Sequence, residues 1–392
     1  MKIAIIVHGR FHGFDLAREL SRRHEVTVFT NYPQWAAARF GLKASQVRSF
    51  WPHGVLARIG SWLNQRSIPY PEAALHRLFG RWAATQVTKE QWDVVHCFSG
   101  VSEEVLIALR GRPTTRMIVR GSAHIRTQAH LLEEEEHRTG TRLDRPSCWM
   151  ISREEREYEL ADRIVVLSSF ARDSFLAEGT ACSKLGFLPL GASSEMFRPS
   201  QDVVEARCRR ILSGGALRVV YVGGLSLRKG LWDMASVLRT VGNKRFRFRF
   251  IGPMTAEAHG LITELRPLAE FFPKQPQKEL PRWYAWGDLF VFPTIEDGFA
   301  VVLAQAHASA LPILTTTNCC GPDLIRDGKT GWVLPIRNPD AFVERLRWCD
   351  AHRAQLAEMV RHLYSDFQPR TWTDVADDFE SLCTETMAIN GR

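Results

Sequence analysis

Short apolar runs alternate with segments of helical spacing along most of the chain. Each run is four to seven residues long and is bounded by polar residues or by Gly and Pro, which predicts strands buried on both faces of a parallel sheet. The runs lie at residues 2–7, 25–30, 93–97, 116–119, 163–167, 185–190, 217–222, 246–251, 288–293, 311–315 and 328–334. The pattern therefore predicts an α/β fold with right-handed crossovers between parallel strands.

The alternation occurs twice, and a polar and basic stretch at residues 201–215 separates the two halves. This stretch shows no apolar periodicity, which favours a boundary between two domains. A chain of 392 residues is long enough to bury two separate cores. Beyond residue 339 the pattern becomes helical, with runs at 341–349, 352–363 and 373–387.

The stretch at residues 286–334 is the strongest candidate for a ligand site. A strand, the acidic loop TIEDG, a helix and a second strand follow one another there. Ligands of open parallel sheets bind just beyond the carboxyl ends of strands, where this loop must lie. Glu296 and Asp297 can accept hydrogen bonds from hydroxyls, Gly298 allows a close approach, and the free N–H groups from Phe299 onward face an anion. The loop therefore predicts a ligand that carries hydroxyls and phosphates.

The loop GGLSLRKG at residues 223–230 is a second candidate site. Gly224, Arg228 and Lys229 lie between a predicted strand and a predicted helix, so backbone donors, a helix dipole and two cations converge. This arrangement favours a phosphate site, and the alternative is a basic turn with both side chains in solvent. The chain contains neither a P-loop nor a G-x-G-x-x-G fingerprint.

Two loops of the first half also follow predicted strands. One is residues 8–14, which contains Gly9 and Gly13, and the other begins at Arg120 and includes Ser122 and His124. Both lie at the ligand side of a parallel sheet. His124 is either a donor to a phosphate or sugar hydroxyl, or an ordinary loop histidine.

The charge of the chain is +8, and the excess is concentrated between residues 34 and 88, where seven Lys or Arg stand against the single acid Glu72. Residues 51–66 within this region have apolar side chains at helical spacing. One interpretation is an interfacial helix on anionic lipid, and the other is a helix packed on its own domain with its arginines in water. The apolar positions are Val55, Leu56, Ile59, Trp62 and Leu63, with Arg58 and Arg66 off that face. The acidic run LLEEEEHR at 131–138 is predicted to be a solvated helix face.

Other features narrow the class of protein. No run reaches the roughly 18 to 20 apolar residues of a membrane span, and the residues after Met1 do not form a signal peptide. The eight cysteines show no C-x-x-C spacing, which favours reduced thiols. We therefore expect a cytoplasmic protein, with peripheral attachment to the inner face of the plasma membrane if the basic helix binds lipid.

Three stretches resemble the glycosyltransferase family 4 type of nucleotide-sugar-dependent transferases. They are YVGGLSLRKG; PTIEDGFAVVLAQA with ALPILTT and GKTGWVLP; and ADRIVVLSSFARDSF with LPLGASSEMFRP. The resemblance covers nearly the whole chain and implies the GT-B fold of two facing Rossmann-like domains. It implies an acceptor-binding domain at 1–200, a nucleotide-sugar-binding domain at 201–368, and a C-terminal helix at 369–392 that packs back on the first domain.

The implied reaction is retaining transfer of a sugar from a nucleotide diphosphate sugar to a hydroxyl of a glycan or lipid-linked acceptor, in bacterial cell-surface polysaccharide assembly. No cofactor or metal is expected, because no Asp-x-Asp is present. The implied catalytic residues are His124, Lys229 and Asp297. The implied donor-binding residues are Gly224, Arg228, Lys229, Glu296, Asp297, Gly298, Phe299 and Gln305. The implied acceptor-side residues are His8, Gly9, Gly13, Arg120 and Ser122.

Asp297 and Gln305 stand where the family usually has two glutamates eight positions apart. Asp297 still offers a carboxylate, whereas Gln305 can bind a ribose only through a neutral amide. These departures leave a catalytically silent nucleotide-sugar or lipid-binding protein as an alternative. A related GT-B enzyme that epimerises or phosphorolyses sugars is another. A nucleic-acid binder is disfavoured because the basic residues are not interleaved with aromatic platforms.

Overall fold

The strands form two parallel sheets, one in each half of the chain. The structure is a computed structural model that describes residues 1–64, 68, 70–192, 194–366, 368–389 and 391. The strands of its described part are β1 (Lys2–Val7), β2 (Glu25–Thr30), β3 (Val47–Ser49), β4 (Val94–Phe98), β5 (Thr115–Arg120), β6 (Arg163–Val166), β7 (Leu185–Phe187), β8 (Leu217–Val222), β9 (Phe246–Ile251), β10 (Ala269–Phe272), β11 (Leu289–Phe292), β12 (Ile313–Thr316) and β13 (Gly331–Leu334).

Helices cover both faces of each sheet. Those in the described part are α1 (Gly13–Leu20), α2 (Gln34–Ala37), α3 (Trp51–Asn64), α4 (Glu72–Val87), α5 (Glu103–Ala108), α6 (Ile125–Thr139), α7 (Cys148–Leu160), α8 (Ser169–Ala177), α9 (Ser194–Phe197), α10 (Gln201–Leu212), α11 (Leu231–Val241), α12 (His259–Leu265), α13 (Leu280–Trp286), α14 (Val301–Ala308), α15 (Gly321–Leu324), α16 (Pro339–Ala351), α17 (Arg353–Ser365) and α18 (Trp372–Ile389). Most strands are buried on both faces, as their uninterrupted apolar runs predicted. The strands β3, β7 and β10 are partly exposed, and β3 and β10 lie outside the predicted runs.

The strand order brings the two candidate loops of the second domain together. The first sheet has the order β3-β2-β1-β4-β5-β6-β7, and the second has β10-β9-β8-β11-β12-β13. In the second sheet the order reverses between β8 and β11, which pair directly, Leu289 with Val219. The loops that leave these two neighbouring strands therefore start side by side at the carboxyl edge, which is where open α/β sheets bind ligands.

The polar stretch at 201–215 is helical, which the absence of periodicity did not predict. Helix α10 buries Val204, Cys208 and Ile211, three positions on one face. Arg207 also lies on the buried side, and its guanidinium donates to the carbonyls of Tyr284, Ser309 and Ala310 at 2.7–3.0 Å. Three backbone acceptors thus make a fully buried cation tolerable, and a basic sequence forms a core helix.

Helix α18 crosses back to the first domain, as the GT-B resemblance implied. It packs on α1, and its Phe379 ring lies 4.9 Å from that of His96 on β4. Cys383 Sγ lies 3.6 Å from Met117 Sδ, within the first sheet. Helix α18 therefore belongs to the core of the first domain, although it follows the second domain along the chain.

The acidic run at 131–138 is not simply a solvated face, so that prediction is wrong in part. Glu135 on α6 is fully buried and pairs with Arg138 at 2.5 Å and with Arg337 of the second domain at 3.1 Å. Arg138 also pairs with Asp233 of the second domain at 2.6 Å. The charges of this helix form an ion-pair network between the domains.

The apolar face of helix α3 points toward solvent and not toward the domain. Val55, Leu56 and Ile59 are all exposed. The helix packs on its own domain with Arg58 in solvent, as one interpretation had it, but through the side opposite to the apolar residues. Arg66 lies outside the described residues. No helix of the described part is long and apolar enough to cross a membrane.

Candidate active site between the two domains

A cleft of about 1280 Å³ lies between the carboxyl edges of the two sheets. Its walls come from helices α3 and α4 and the loops that follow β1, β4 and β5 in the first domain, and from the loops that follow β8, β10 and β11 in the second. The predicted residues that line it are His8, Arg120, Ser122, Arg228, Asp297, Phe299 and Gln305. The other predicted residues lie beside or behind this lining: Gly9, Gly13, His124, Gly224, Lys229, Glu296 and Gly298.

The two loops predicted to bind phosphate and hydroxyls are in direct contact. Lys229 Nζ donates to Asp297 Oδ2 at 2.7 Å and to the carbonyl of Glu296 at 3.0 Å. Asp297 Oδ1 accepts from the N–H of Phe299 at 3.2 Å. Gly230 turns the first loop with φ +78°, and a Cβ there would lie 1.8 Å from the carbonyl oxygen of Pro293. The glycine therefore allows the lysine loop to rest on the acidic loop.

Glu296 joins the two domains. Its fully buried carboxylate accepts from the N–H of Ala123 at 2.9 Å, from Nε2 of Gln128 at 3.1 Å and from the guanidinium of Arg228 at 2.6 Å. Burial acts to raise the pKa of this carboxyl, but the charges of Arg228 and Lys229 and the Ala123 N–H outweigh it and leave the pKa lowered. Glu296 is therefore a carboxylate that faces the interface between the domains.

Gly298 also serves this interface. A Cβ at this position would lie 2.5 Å from the carbonyl oxygen of Gly121 and 2.6 Å from Cα of Ser122. The sequence predicted a glycine for close approach to a ligand, and in the structure the backbone of the first domain makes that approach. Ser122 Oγ accepts from Arg228 Nη2 at 2.9 Å and completes the contact.

His124 is a helix cap in this structure. Its Nδ1 accepts from the N–H of Arg126 at 3.3 Å at the start of α6, and its ring packs between Tyr158 and Phe175. Burial is the main cause of the lowered pKa of the imidazole. Arg120, at the end of β5, is the residue of this segment that lines the cleft with a charged side chain, held by the Gln128 amide oxygen at 2.6 Å.

Gln305 lies on α14 in the wall of the cleft. It is nearly buried, and its Oε1 accepts from the hydroxyl of Tyr284 at 2.9 Å. Tyr284 is itself fully buried. The neutral amide is therefore part of an internal hydrogen bond, and the wall carries no negative charge at this point.

Three histidines form the floor of the first-domain side. The ring of His8 lies 5.3 Å from that of His53 and 6.1 Å from that of His76. Burial lowers the pKa of His8 to about 3, with further lowering by His76 and His53. Sequence reasoning missed His53 and His76, because they belong to α3 and α4 and only the tertiary fold brings them to β1.

Gly9 and Gly13 shape the loop beneath this floor. Gly9 has φ +80°, and its N–H donates to Asn31 Oδ1 at 2.6 Å. A Cβ at Gly13 would lie 3.1 Å from the ring of Phe98. Both glycines thus support the acceptor-side loop from behind.

The described residues contain no group of three or more His, Cys, Asp or Glu side chains that could hold a metal ion. Five basic side chains line the cleft instead and could meet an anionic ligand: Arg10, Arg120, Arg145, Arg228 and Lys274. The side chain of Lys229 is 18% exposed, and its ion pair with Asp297 holds it next to the cleft lining.

Two family models match the chain in succession. The Glycosyltransferase Family 4 model matches residues 11–194, and the model for Glycosyl transferases group 1 matches residues 216–350. The first match lies within the first sheet and its helices, and the second begins just before β8.

Among curated proteins, the chain is 30% identical over 190 residues to sulfoquinovosyl transferase SQD2 of Arabidopsis thaliana, which covers 47% of this chain and 36% of that protein. It is 25% identical over 294 residues to a D-inositol 3-phosphate glycosyltransferase of Streptomyces bingchenggensis, which covers 70% of this chain and 62% of that protein. The chain thus spans between about a third and three fifths of the lengths of these relatives.

Solved structures share the fold over the whole chain. Sucrose-phosphate synthase from Thermosynechococcus elongatus has a TM-score of 0.71 at 16% identity and covers 99% of this chain and 100% of its own. Anabaena HepE in complex with UDP has a TM-score of 0.68 at 12% identity, with 98% and 100% covered. At these identities the likeness establishes the fold alone. The two family models show that the chain is a protein of the glycosyltransferase family 4 type, and the paired sheets and the solved structures show that it has the GT-B fold.

Proposed function

We propose that the chain is a retaining glycosyltransferase that moves a sugar from a nucleotide diphosphate sugar to a hydroxyl of a glycan or lipid-linked acceptor. The observation that carries the proposal is the seating of the Arg228–Lys229 loop on the Glu296–Asp297 loop at the cleft. Cations that neutralise a leaving diphosphate thus stand beside a carboxylate that can accept from sugar hydroxyls.

The lysine retains capacity for a phosphate. An ammonium has three N–H donors, and Lys229 uses two of them, on Asp297 and on the Glu296 carbonyl. The third can donate to a diphosphate oxygen as negative charge develops there. Arg228, whose side chain is 32% exposed, reaches the cleft while it is held by Glu296.

We propose that the reaction needs no metal, because Arg228 and Lys229 would neutralise the leaving diphosphate, as a metal ion does in other sugar transferases. Asp297, fixed by Lys229 and by the Phe299 N–H, would accept from a donor-sugar hydroxyl. The acceptor would enter along the first domain, past His8 and Arg120, both of which line the cleft.

The biological setting that we propose is the assembly of bacterial cell-surface polysaccharide at the inner face of the plasma membrane. Support comes from the family type of the chain and from its eight cysteines, all of which are free thiols. Free thiols are the usual state of cysteine in a reducing compartment.

The direct test is a thermal-shift screen of the full chain against UDP-, GDP-, ADP- and dTDP-sugars, followed by turnover with the stabilising donor. A ligand at about 100 times its Kd adds roughly 2.7 kcal/mol of stability. We expect one nucleotide class to stabilise the chain, turnover to be unchanged in EDTA, and the product to keep the anomeric configuration by NMR. Binding without transfer or donor hydrolysis would support the silent alternative instead.

The variant Lys229→Ala tests the assignment of the cation. Loss of one donor to a developing oxyanion lowers kcat by about 100- to 1000-fold, so we expect a loss in that range with an unchanged circular dichroism spectrum. Lys244→Ala removes an exposed lysine of the same domain and serves as the matched control. Equal turnover in the two variants would remove Lys229 from the mechanism.

A further inference from the structure

Helix α3 presents large apolar side chains to solvent. Trp51 is 58% exposed, Val55 47%, Leu56 46%, Ile59 51% and Trp62 50%. The spacing of these residues places them on adjoining stripes of one helix. We refer to these five side chains as the α3 face. A contiguous apolar face of this kind marks an interaction site, whereas single exposed apolar residues are ordinary.

The opposite side of α3 explains why the apolar residues point outward. The domain holds the helix through a small and polar side: His53 is buried, and its ring nitrogens contact the Leu75 carbonyl at 2.9 Å and the Asn31 amide at 3.3 Å. A Cβ at Gly54 would lie 2.4 Å from the Asn31 carbonyl oxygen, and one at Gly60 would lie 3.0 Å from the Tyr70 ring. Glycine and histidine therefore fix the helix flat on the domain, and the larger apolar side chains stay exposed on the opposite side.

The charge around the α3 face indicates which kind of partner can bind there. Six basic residues in the described part of the region are exposed. The only acid in the sequence between 34 and 88, Glu72, is half-buried and accepts from Ser147 Oγ. The exposed basic residues are Arg39, Lys43, Arg48, Arg58, Arg77 and Arg81. A second copy of the chain would bring like charges together in a two-fold interface. An anionic bilayer supplies both an apolar layer and opposite charge.

We propose that the α3 face docks on an anionic lipid bilayer, with α3 parallel to the membrane plane. Trp51 and Trp62 lie near opposite ends of the apolar stripe, and indole rings favour the headgroup boundary. Arg58 lies on the same helix, and Arg77 and Arg81 lie on α4, which packs against α3. Their guanidinium groups meet the lipid phosphates.

The docking surface adjoins the acceptor side of the cleft. His53, Ala57 and Ser61 of α3 line the cleft, while the exposed stripe of the same helix faces away from it. The bilayer surface therefore lies within one helix diameter, about 10 Å, of the space that His8 borders. This part of the inference rests on the proposed function: the acceptor is an amphiphile whose apolar part stays in the bilayer while its hydroxyl enters beside α3.

The test is sedimentation of the full chain with vesicles of phosphatidylcholine alone and of phosphatidylcholine with phosphatidylglycerol. We expect binding to the anionic vesicles only. Each basic residue at an anionic surface contributes about 1 kcal/mol, or about fivefold in partitioning, so Arg58→Gln, Arg77→Gln and Arg81→Gln together should lower binding about 100-fold. The triple variant Val55→Gln, Leu56→Gln, Ile59→Gln should abolish binding at all anionic lipid fractions.

Matched controls use equally exposed residues elsewhere. Ile107→Gln, Leu176→Gln and Leu212→Gln replace apolar residues that are 49%, 39% and 50% exposed on other helices, and this variant should bind vesicles as the native chain does. Thermal unfolding of each variant verifies the fold.

Three results would overturn the docking proposal: no binding of the native chain to anionic vesicles, equal binding by the α3 variant, or a solution dimer that only the α3 variant loses. The assay uses neither donor nor acceptor, so its failure is distinct from failure of the proposed transfer reaction.

Discussion

Substitution of Glu296, the buried carboxylate between the domains, tests most directly which contacts hold the two domains together at the cleft. In Glu296→Gln, the side chain keeps its size but loses its charge and one acceptor oxygen. All three side-chain partners of Glu296, the Ala123 N–H, the Gln128 amide and the Arg228 guanidinium, are donors. The new NH2 group must therefore point at a donor whichever way it is turned. Gln128 cannot relieve the clash by turning over, because its own oxygen accepts from Arg120 at 2.6 Å.

The size of the effect follows from burial. Removal of one partner of a buried ion pair costs about 3 to 5 kcal/mol. Glu296 is fully buried, but the Arg228 side chain is 32% exposed and can recover some hydration. We therefore expect the lower end, about 3 kcal/mol of the free energy of unfolding. The matched control is Glu264→Gln, which breaks an exposed pair with Arg239 and should cost less than about 1 kcal/mol.

Urea denaturation of both variants measures the loss, and small-angle X-ray scattering measures whether the domains open. The expected result is a lower unfolding midpoint and a larger radius of gyration for Glu296→Gln alone. If Glu296→Gln unfolds at the midpoint of the native chain and scatters identically, Glu296 does not hold the domains together and the interface has another origin.

Three further changes probe the interface and the cores. Gly298→Ala should open the cleft and lower turnover without unfolding either domain, because its Cβ would lie 2.5 Å from the Gly121 carbonyl oxygen; scattering and kinetics together check this. Arg207→Leu leaves three buried carbonyls without their donor and should lower the free energy of unfolding by about 3 kcal/mol or more in urea, at about 1 to 3 kcal/mol for each unsatisfied group. His96→Leu should raise stability by about 1 to 3 kcal/mol, since neither ring nitrogen has a partner among the described residues. Burial, with a smaller contribution from His12, lowers the pKa of His96 to about 3. As pH falls below 6.5, His96 therefore binds a proton in the unfolded chain but stays neutral in the folded chain. The native chain should therefore lose stability between pH 6.5 and 3 in urea titrations, and His96→Leu should lack that component.

Local chemistry was sufficient to predict the strands and the two donor loops. Uninterrupted apolar runs such as β1 and β11 have only one stable environment, a sheet covered on both faces, so the sequence predicts their burial directly. Arg228 with Lys229, and Glu296 with Asp297, could be placed at the ligand edge because a loop after a parallel strand must lie there. The seating of one loop on the other agrees with that placement.

Only the tertiary structure shows the direction in which the side chains point. Periodicity predicted the apolar stripe of α3 but left open whether it faces the domain or a lipid surface, because His53 and two glycines bind the other side of the helix to residues distant in sequence. In the sequence alone Arg207 has the appearance of a solvated charge. In the structure three carbonyls from other segments surround it.

The sequence by itself determined the class of fold, the family type and the charged residues of the two loops, since each depends on patterns within a few consecutive residues. The tertiary structure decided which of those residues reach the cleft. Glu296 turns toward Ala123 and Gln128, whereas Asp297, one residue later, lines the cleft. Adjacent positions in a loop point in different directions, and only the packing of the second domain against the first selects which carboxylate is buried between the domains and which one lines the cleft.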